Sequence, residues 1–226
     1  MQTQVLEQDH NTVTESAILS KQIQIAKSPN STRSNLSDNY DYWHGENGFY
    51  IEYNENNEAI IYPESDGQPM AENTKQYDFL TDIVGNLRIM TADDPNILVV
   101  GDLLWYPVQG QTGKGNVYTP DVMVVIGRPK GHRGSYLQWL ENDIAPQIVF
   151  EIWSISNTAQ HKREKFNFYQ KHGVQEYYTI DSETDIWEGW IRDQDMLEKI
   201  EDMDGWRSPR LGFQFKCESK EMKLLY

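Results

Sequence analysis

The sequence of 226 residues contains one cysteine and no long apolar run. A single cysteine, Cys217, cannot form an intramolecular disulfide, which excludes a disulfide-stabilised secreted scaffold and is consistent with a reducing cytoplasm. The longest apolar run in the predicted strands, residues 122–126, is far shorter than the roughly 20 residues of a transmembrane helix. The first residues also lack the charged and then apolar pattern of a secretory signal. We therefore expect a cytoplasmic protein that does not enter a membrane.

Positive charge is scarce, with 20 Lys and Arg against 35 Asp and Glu and a formal net charge of −15. Such a balance disfavours broad electrostatic attraction to nucleic acid or to anionic lipid. A nucleic-acid site in this chain would have to be a local basic patch.

Aromatic residues are absent from residues 1–39 and begin at Tyr40. The first segment is rich in Gln, Ser, Asn and Thr, so it cannot bury enough apolar surface to offset its ordering entropy. We predict a flexible polar tail over residues 1–39 and one domain over residues 40–226. A short amphipathic helix around residues 17–26, acting as a docking segment, is the alternative for the tail.

Hydrophobic periodicity predicts a mixed order of strands and helices in the domain. Predicted strands cover residues 48–53, 58–62, 97–104, 121–126, 147–153, 176–180 and 186–191, and predicted helices cover residues 71–90 and 158–172. Strand 147–153, helix 158–172 and strand 176–180 form a β-α-β unit, which favours parallel strands and a right-handed crossover. The predicted fold class is α/β or mixed α+β, with a small curved sheet between helices.

Two carboxylates interrupt apolar strands. Asp121 stands at the start of one strand and Glu151 stands inside another, IVFEIW. A strand buried on both faces should not hold an ionised Glu without a partner. Burying an unpaired charge costs several kcal/mol, which is on the order of the whole free energy of unfolding of a domain. Glu151 is therefore either a strand-end residue in contact with solvent, a residue paired with a cation, or part of a metal site.

The order and spacing of several residues resemble a known family. The matching residues are Pro120-Asp121, Glu151-x-Trp153-Ser154, Lys165-x3-Tyr169-x3-Gly173-Val174-x-Glu176-Tyr177 and Asp181. This pattern resembles the Uma-type putative restriction endonucleases, a domain-of-unknown-function family in the PD-(D/E)XK nuclease superfamily, and in particular its cyanobacterial branch. The resemblance extends from about Tyr62 to Leu211.

The resemblance implies a restriction-endonuclease-like core, in which helices flank a mixed central sheet with extra hairpins. It implies hydrolysis of DNA phosphodiester bonds with Mg²⁺ as the cofactor, for which Mn²⁺ could substitute. It assigns Asp121 and Glu151 as metal ligands, with the backbone carbonyl of Ile152 as a further oxygen and Lys165 as the catalytic lysine. Glu72 and Asp102 are candidate auxiliary carboxylates. Oxygen ligands of this kind suit a hard ion such as Mg²⁺.

The chain also departs from the family pattern. Trp153 stands where the superfamily signature has a basic residue, and His161 stands where family members often have Asp. The retained Asp121, Glu151 and Lys165 favour an active endonuclease. The altered signature and the acidic composition favour the alternative, a catalytically inactive relative that serves as a binding or assembly module.

Two lysines on the second predicted helix could face the sheet, because residues 162, 165, 166 and 169 form one helical stripe. Helical side chains tilt toward the helix N-terminus, which brings Lys165 back toward Glu151 and sends Lys162 toward the rim. We expect Lys165 to act at the site and Lys162 to contact DNA phosphates.

One glycine-rich basic loop, residues 127–134, follows the Asp121 strand. Its Arg128, Lys130 and Arg133 could contact DNA phosphates, or the loop could be a simple turn. The sequence does not fix the oligomeric state, and a homodimer is compatible with it.

Overall fold

The computed structural model describes residues 48–218 and 221–225. The predicted tail, residues 1–39, lies outside them. Two compact units divide the described residues: residues 51–61 form one, and residues 48–50 together with those from 62 onward form the other. None of the described helices has the length and apolar composition that crossing a membrane requires.

Residues 51–61 contain most of a hairpin, whose strands are β1 (Phe49–Tyr53) and β2 (Ala59–Pro63). The Asn54 side chain organises the turn, because its Oδ1 atom accepts hydrogen bonds from the backbone N–H groups of Asn56 at 3.0 Å and Glu58 at 2.9 Å. The predicted hairpin is thus confirmed.

A six-stranded mixed sheet forms the centre of the larger unit. Its strands are β3 (Ile97–Gly101), β5 (Val122–Ile126), β7 (Ile148–Trp153), β8 (Glu176–Asp181), β9 (Ile186–Asp193) and β10 (Met196–Lys199), in the spatial order β10-β9-β8-β7-β5-β3. Two small sheets pair β4 (Trp105–Tyr106) with β6 (Tyr136–Leu137) and β11 (Gln214–Glu218) with β12 (Glu221–Leu225). The predicted fold class, a mixed α+β protein with helices flanking a mixed sheet, is confirmed.

The predicted β-α-β unit is present. Strands β7 and β8 pair in parallel, and helix α2 (Ala159–Lys171) connects them. The side chain of Thr158 caps α2 by accepting a hydrogen bond from the N–H of His161 at 3.2 Å. Gly173 follows the helix with a φ of +87°, a left-handed conformation that glycine adopts without steric cost. The other neighbouring strands of the sheet pair antiparallel.

Helix α1 (Thr74–Met90) begins three residues later than predicted. Asn73 is its N-cap and accepts a hydrogen bond from the N–H of Gln76 at 2.9 Å. The predicted helix over residues 71–90 placed Glu72 in its first turn, and this placement is wrong, because Glu72 precedes the cap. A polar cap residue, rather than hydrophobic periodicity, sets the start of this helix.

The two helices cover opposite faces of the sheet. Side chains of β7 alternate between the two faces, as the period of two predicts. The α1 face packs Leu80, Ile83 and Leu87 on Ile148, Phe150, Ile152, Tyr178 and Ile180. The α2 face packs Phe168 and Tyr169 with Met123, Val149, Trp153 and Tyr177. Glu151 therefore points to the α2 face.

Strand β3 ends at Gly101, earlier than predicted. An added Cβ at Gly101 would lie 3.2 Å from side-chain atoms of Leu80 and Val84 and 3.3 Å from the Asp121 carbonyl. The next residue, Asp102, turns the chain with a φ of +51°. This close approach places Asp102 beside the start of β5.

Candidate active site

Asp121 and Glu151 meet where the start of β5 lies beside the end of β7. These strands are antiparallel, with Val122 opposite Phe150, so Asp121 lies next to Glu151 and Ile152. The Asp121 Oδ2 atom accepts a hydrogen bond from the Ile152 N–H at 2.6 Å. The Asp121 side chain thus accepts a hydrogen bond from the backbone of β7, and this bond holds the carboxylate in position.

Helix α2 supplies two partners for Glu151, one turn apart. Lys165 Nζ lies 2.7 Å from Glu151 Oε2 and also donates to the Thr119 carbonyl at 2.9 Å. The Tyr169 hydroxyl donates a hydrogen bond to Glu151 Oε1. The Glu151 side chain is 1 % exposed, so this buried carboxylate is paired with a cation, which was one of the alternatives that the sequence left open.

The carboxylates and Lys165 shift one another's protonation. Burial raises the pKa of Glu151 to about 8, although the Lys165 ammonium lowers it in part. Burial raises the pKa of Asp121 too, against the Lys165 charge, the Ile152 N–H and a hydrogen bond from Glu151. Burial alone would lower the pKa of Lys165, but the two carboxylates outweigh it and raise that pKa. Burial thus favours the protonated form of both carboxyl groups, whereas the carboxylates favour the charged form of Lys165.

The Ile152 carbonyl, the expected third oxygen, already has a partner. It accepts a hydrogen bond at 3.0 Å from Nε2 of Gln76, a side chain that is 9 % exposed. Gln76 Oε1 in turn accepts the Glu72 N–H at 2.9 Å. This amide joins the start of α1 to the end of β7, and no pattern in the sequence indicates it.

Glu72 lies with two serines that follow β7. Its carboxylate accepts hydrogen bonds from the hydroxyls of Ser154 and Ser156, both at 2.6 Å. These two bonds lower the pKa of Glu72. The contacts hold the start of α1 against the turn after β7, and an auxiliary metal role for Glu72 stays a prediction.

Asp102 and a residue that the sequence analysis did not identify, Asp66, extend the acidic surroundings. Burial raises the pKa of Asp102, and the charges of Asp66 and Asp121 raise it further. The Thr119 hydroxyl donates to Asp66 Oδ2 at 3.0 Å. Asp66 lies in an irregular segment, where no periodicity could have revealed it. Asp102 therefore lies close enough to Asp121 for the charge of one to affect the other, and an auxiliary role for Asp102 stays a prediction.

The candidate phosphate contacts of the basic loop lie in the interior or at a helix end. Arg128 and Arg133, each 5 % exposed, both pair with the fully buried Glu141 at 2.6 Å. Lys130 Nζ donates to the carbonyl of Thr91, which caps α1, at 2.6 Å. These placements favour structural roles for the three residues.

Lys162 and His161 lie near the site on the first turns of α2. Lys162 Nζ is 5.4 Å from the centroid of the Trp153 ring, and Lys165 Nζ is 5.8 Å from it. His161 is partly buried, and burial and the nearby Lys165 charge lower its pKa. The ammonium groups of both lysines thus lie close to the Trp153 ring.

The side chains of Asp121 and Glu151 suit a small divalent cation. Two adjacent carboxylates provide hard oxygen ligands, and Mg²⁺ is often bound by one or two carboxylates together with waters and substrate phosphate. Across residues 48–218 and 221–225, no three His, Cys, Asp or Glu side chains are grouped so that they could hold an ion. A cation here would therefore depend on this pair.

Comparisons with known proteins give a match to a family model and a similarity to a solved structure. A family model described as "putative restriction endonuclease", Uma2, matches residues 43–217. No curated protein matches the chain. Among solved structures, the chain is similar to a crystal structure described as a putative nuclease belonging to DUF820 from Anabaena variabilis, with 18 % identity and a TM-score of 0.47. That similarity covers 72 % of this chain and 83 % of the other.

Proposed function

Since the chain belongs to the Uma2 family of putative restriction endonucleases, we propose that it is a Mg²⁺-dependent endonuclease that hydrolyses phosphodiester bonds in DNA. The observation that carries this proposal is the buried group of Asp121, Glu151 and Lys165. Two carboxylates and a lysine meet there, from two adjacent strands and the crossover helix.

Asp121 and Glu151 would hold the cation. When bound, Mg²⁺ acts as a Lewis acid toward a phosphoryl oxygen and lowers the pKa of a water molecule. The Ile152 N–H and Tyr169 hydroxyl orient the two carboxylates, and Lys165 keeps its proton beside them. The ammonium would orient the attacking water and offset the negative charge that develops on the phosphate.

A second candidate function is a catalytically inactive binding or assembly module. Both oxygens of Glu151 already accept hydrogen bonds, and the Ile152 carbonyl accepts one from Gln76. Lys165 also supplies the positive charge that a cation would otherwise provide. This arrangement favours the module, because the carboxylates are satisfied without metal.

Cleavage of a supercoiled plasmid and of a circular single-stranded DNA, each with Mg²⁺ or Mn²⁺, tests the first candidate, and a break in either DNA counts as nicking. We expect nicking by the wild-type chain and none by Asp121→Ala. Asp78→Ala is the matched control, because it removes an exposed aspartate of α1 and should nick like the wild type. Wild-type protein that does not nick, or nicking that survives Asp121→Ala, contradicts the proposal.

A metal titration followed by thermal unfolding separates the two candidates. Ligands that bind only the folded state raise the melting temperature. Millimolar Mg²⁺ should stabilise the wild type and the Asp78→Ala control but not Asp121→Ala. An unchanged melting temperature in all three proteins would favour the inactive module.

A further inference from the structure

A cavity of about 510 Å³ lies on the α2 face of the sheet, beside β8 and β9. Its walls are aromatic, from Trp153, Phe166, Tyr177 and Trp190, and its rim carries the cations Lys162 and Arg163. Ligand cavities of about 300 to 1,000 Å³ accept small organic molecules, and a nucleotide is of that class.

The cavity adjoins the candidate active site, and the side chain of Trp153 lies between them. Glu151 lies opposite Thr179 and Trp153 lies opposite Asp181 in the parallel β7–β8 pair, and Thr179 and Asp181 line the cavity. The Lys165 ammonium is 2.7 Å from Glu151 Oε2 and 5.8 Å from the Trp153 ring centroid. A group bound in the cavity would therefore adjoin a phosphate bound at Lys165.

The lining offers the two contacts that an unpaired nucleotide makes. Trp190 is partly exposed and its ring lies 5.3 Å from that of Tyr177, which gives a base an aromatic wall on which to stack. Lys162 and Arg163 carry the charge that attracts a phosphate. Asp181 and Glu188 also line the cavity; Oδ1 of Asp181 already accepts from Thr184 and Oε1 of Glu188 from Lys199, so the second oxygen of each carboxylate is the acceptor for an N–H group on a base edge.

We propose that this cavity binds the base of an unpaired nucleotide next to the scissile phosphate. The inference rests on the proposed nuclease function and specifies its substrate class. A base inside a continuous duplex is stacked and paired, so it cannot reach such a cavity unless it is flipped out. The preferred substrate is therefore single-stranded DNA, or DNA with unpaired bases at the cleavage site.

Fluorescence anisotropy with a labelled oligothymidylate of about 12 nucleotides and a duplex of the same length tests the proposal. Both probes are measured with the full chain in EDTA, which removes divalent cations, so that binding is measured without cleavage. We expect the single strand to bind at least about ten-fold more tightly than the duplex, because stacking on aromatic side chains is available only to unpaired bases.

Two exposed isoleucines provide a matched pair of variants. Ile186 lines the cavity and is 59 % exposed, whereas Ile89 lies on α1, the helix of the other face, and is 61 % exposed. Ile186→Glu should weaken single-strand binding about ten-fold, because its charge repels the phosphate, and Ile89→Glu should leave binding unchanged. Trp190→Ala should weaken binding similarly, with its melting temperature measured to confirm that it folds.

Three results would overturn the cavity proposal: equal binding of duplex and single strand, no effect of Ile186→Glu, or equal weakening by Ile89→Glu. Each is independent of nicking. If the chain does not nick DNA but binds single strands and Ile186→Glu weakens that binding, the cavity proposal stands and the proposed nuclease function fails. If the chain nicks DNA but Ile186→Glu does not weaken its single-strand binding, the nuclease function stands and the proposal that the cavity binds a base fails.

Discussion

Lys165 has a structural contact and a proposed catalytic role, and a single substitution would remove both. Its ammonium pairs with a Glu151 side chain that is 1 % exposed. Removing one partner of a buried ion pair leaves the other charge uncompensated, whereas replacing both with neutral groups is often tolerated. Stability and catalysis at this residue must therefore be measured separately.

A double-mutant cycle makes that separation. Lys165→Met should lower the free energy of unfolding by about 3 to 5 kcal/mol, because the buried carboxyl groups of Asp121 and Glu151 lose the cation that offsets their negative charge. The double variant Lys165→Met/Asp121→Asn should recover most of that loss but should not nick DNA, because Glu151, which keeps its proton up to about pH 8, is then the remaining carboxyl group of the three residues. Denaturant unfolding and nicking are the two measurements, and Lys171→Met, an exposed lysine of the same helix, is the control. Full nicking by Lys165→Met would remove its catalytic role.

Lys162 provides a second comparison on the same helix. Lys162→Ala should leave nicking at saturating DNA intact, but it should weaken DNA binding and make the logarithm of the binding constant fall less steeply with the logarithm of the salt concentration, because one phosphate contact is lost. If Lys162→Ala abolishes nicking while Lys165→Met does not, the catalytic role belongs to Lys162.

Glu151 should make stability depend on pH. The pKa of Glu151 is raised to about 8, so the folded chain holds this proton up to that pH, whereas the unfolded chain releases it near 4.5. The folded state binds more protons between these values, so the free energy of unfolding falls as pH rises. From about pH 6.5 to 8 the loss should be about 1 to 2 kcal/mol greater in the wild type than in Glu151→Gln. Parallel profiles for the two proteins over this range would contradict the assignment.

Among the elements, helix α1 reaches the site through Gln76. Its amide binds the Ile152 carbonyl and the Glu72 N–H at once. Ile152 also donates its N–H to Asp121, so one residue of β7 is held from both sides. The position of α1 on the sheet thereby fixes the backbone beside Glu151.

Gln76→Ala should lower the free energy of unfolding by about 1 to 3 kcal/mol, because two polar groups lose their partner. It should also reduce nicking by properly folded protein, since the backbone at Ile152 is released. Thr91→Ala is the matched control, because it removes a buried hydroxyl bond of 2.8 Å at the opposite end of α1. Equal nicking by the two variants, after correction for the folded fraction, would show that Gln76 does not position the site.

The sequence allowed the prediction of the elements and of the side chains that periodicity controls. The period of two placed Glu151 and Trp153 on one face, and helical tilt selected Lys165 over Lys162 as the neighbour of Glu151. Gln76 could not be predicted, because it is a polar residue in the first turn of α1, and Asp66 could not be predicted, because it lies in an irregular segment. The basic loop was ambiguous for a similar reason: only the fold brings Glu141 between Arg128 and Arg133.

At the scale of the whole molecule, the acidic charge of the protein repels DNA, the proposed substrate, which is also an anion. The chain carries a net charge of −15, and two arginines of its basic loop are in the interior. Helix α2 contributes three cations near the site, Lys162, Arg163 and Lys165. Few phosphates can then be contacted, so DNA affinity should depend weakly on long-range attraction.

Deleting residues 1–38 should leave the melting temperature unchanged within error. The segment has no aromatic and few apolar side chains, so little buried surface is lost. It carries three basic and four acidic residues, so its removal also changes the net charge by only one. A drop of several degrees in a calorimetric scan would show that the segment docks on the domain and that the predicted boundary is wrong.

The contact between Gln76 and Ile152 spans 76 positions of the chain, and it has a consequence for biosynthesis. At about 5 to 20 residues per second, the ribosome makes α1 roughly 4 to 15 s before it makes the end of β7. During that interval Leu80, Ile83 and Leu87 of α1 have no sheet to cover them. The nascent chain thus exposes the apolar face of α1 during this interval, and the candidate active site cannot assemble until α2 has left the exit tunnel.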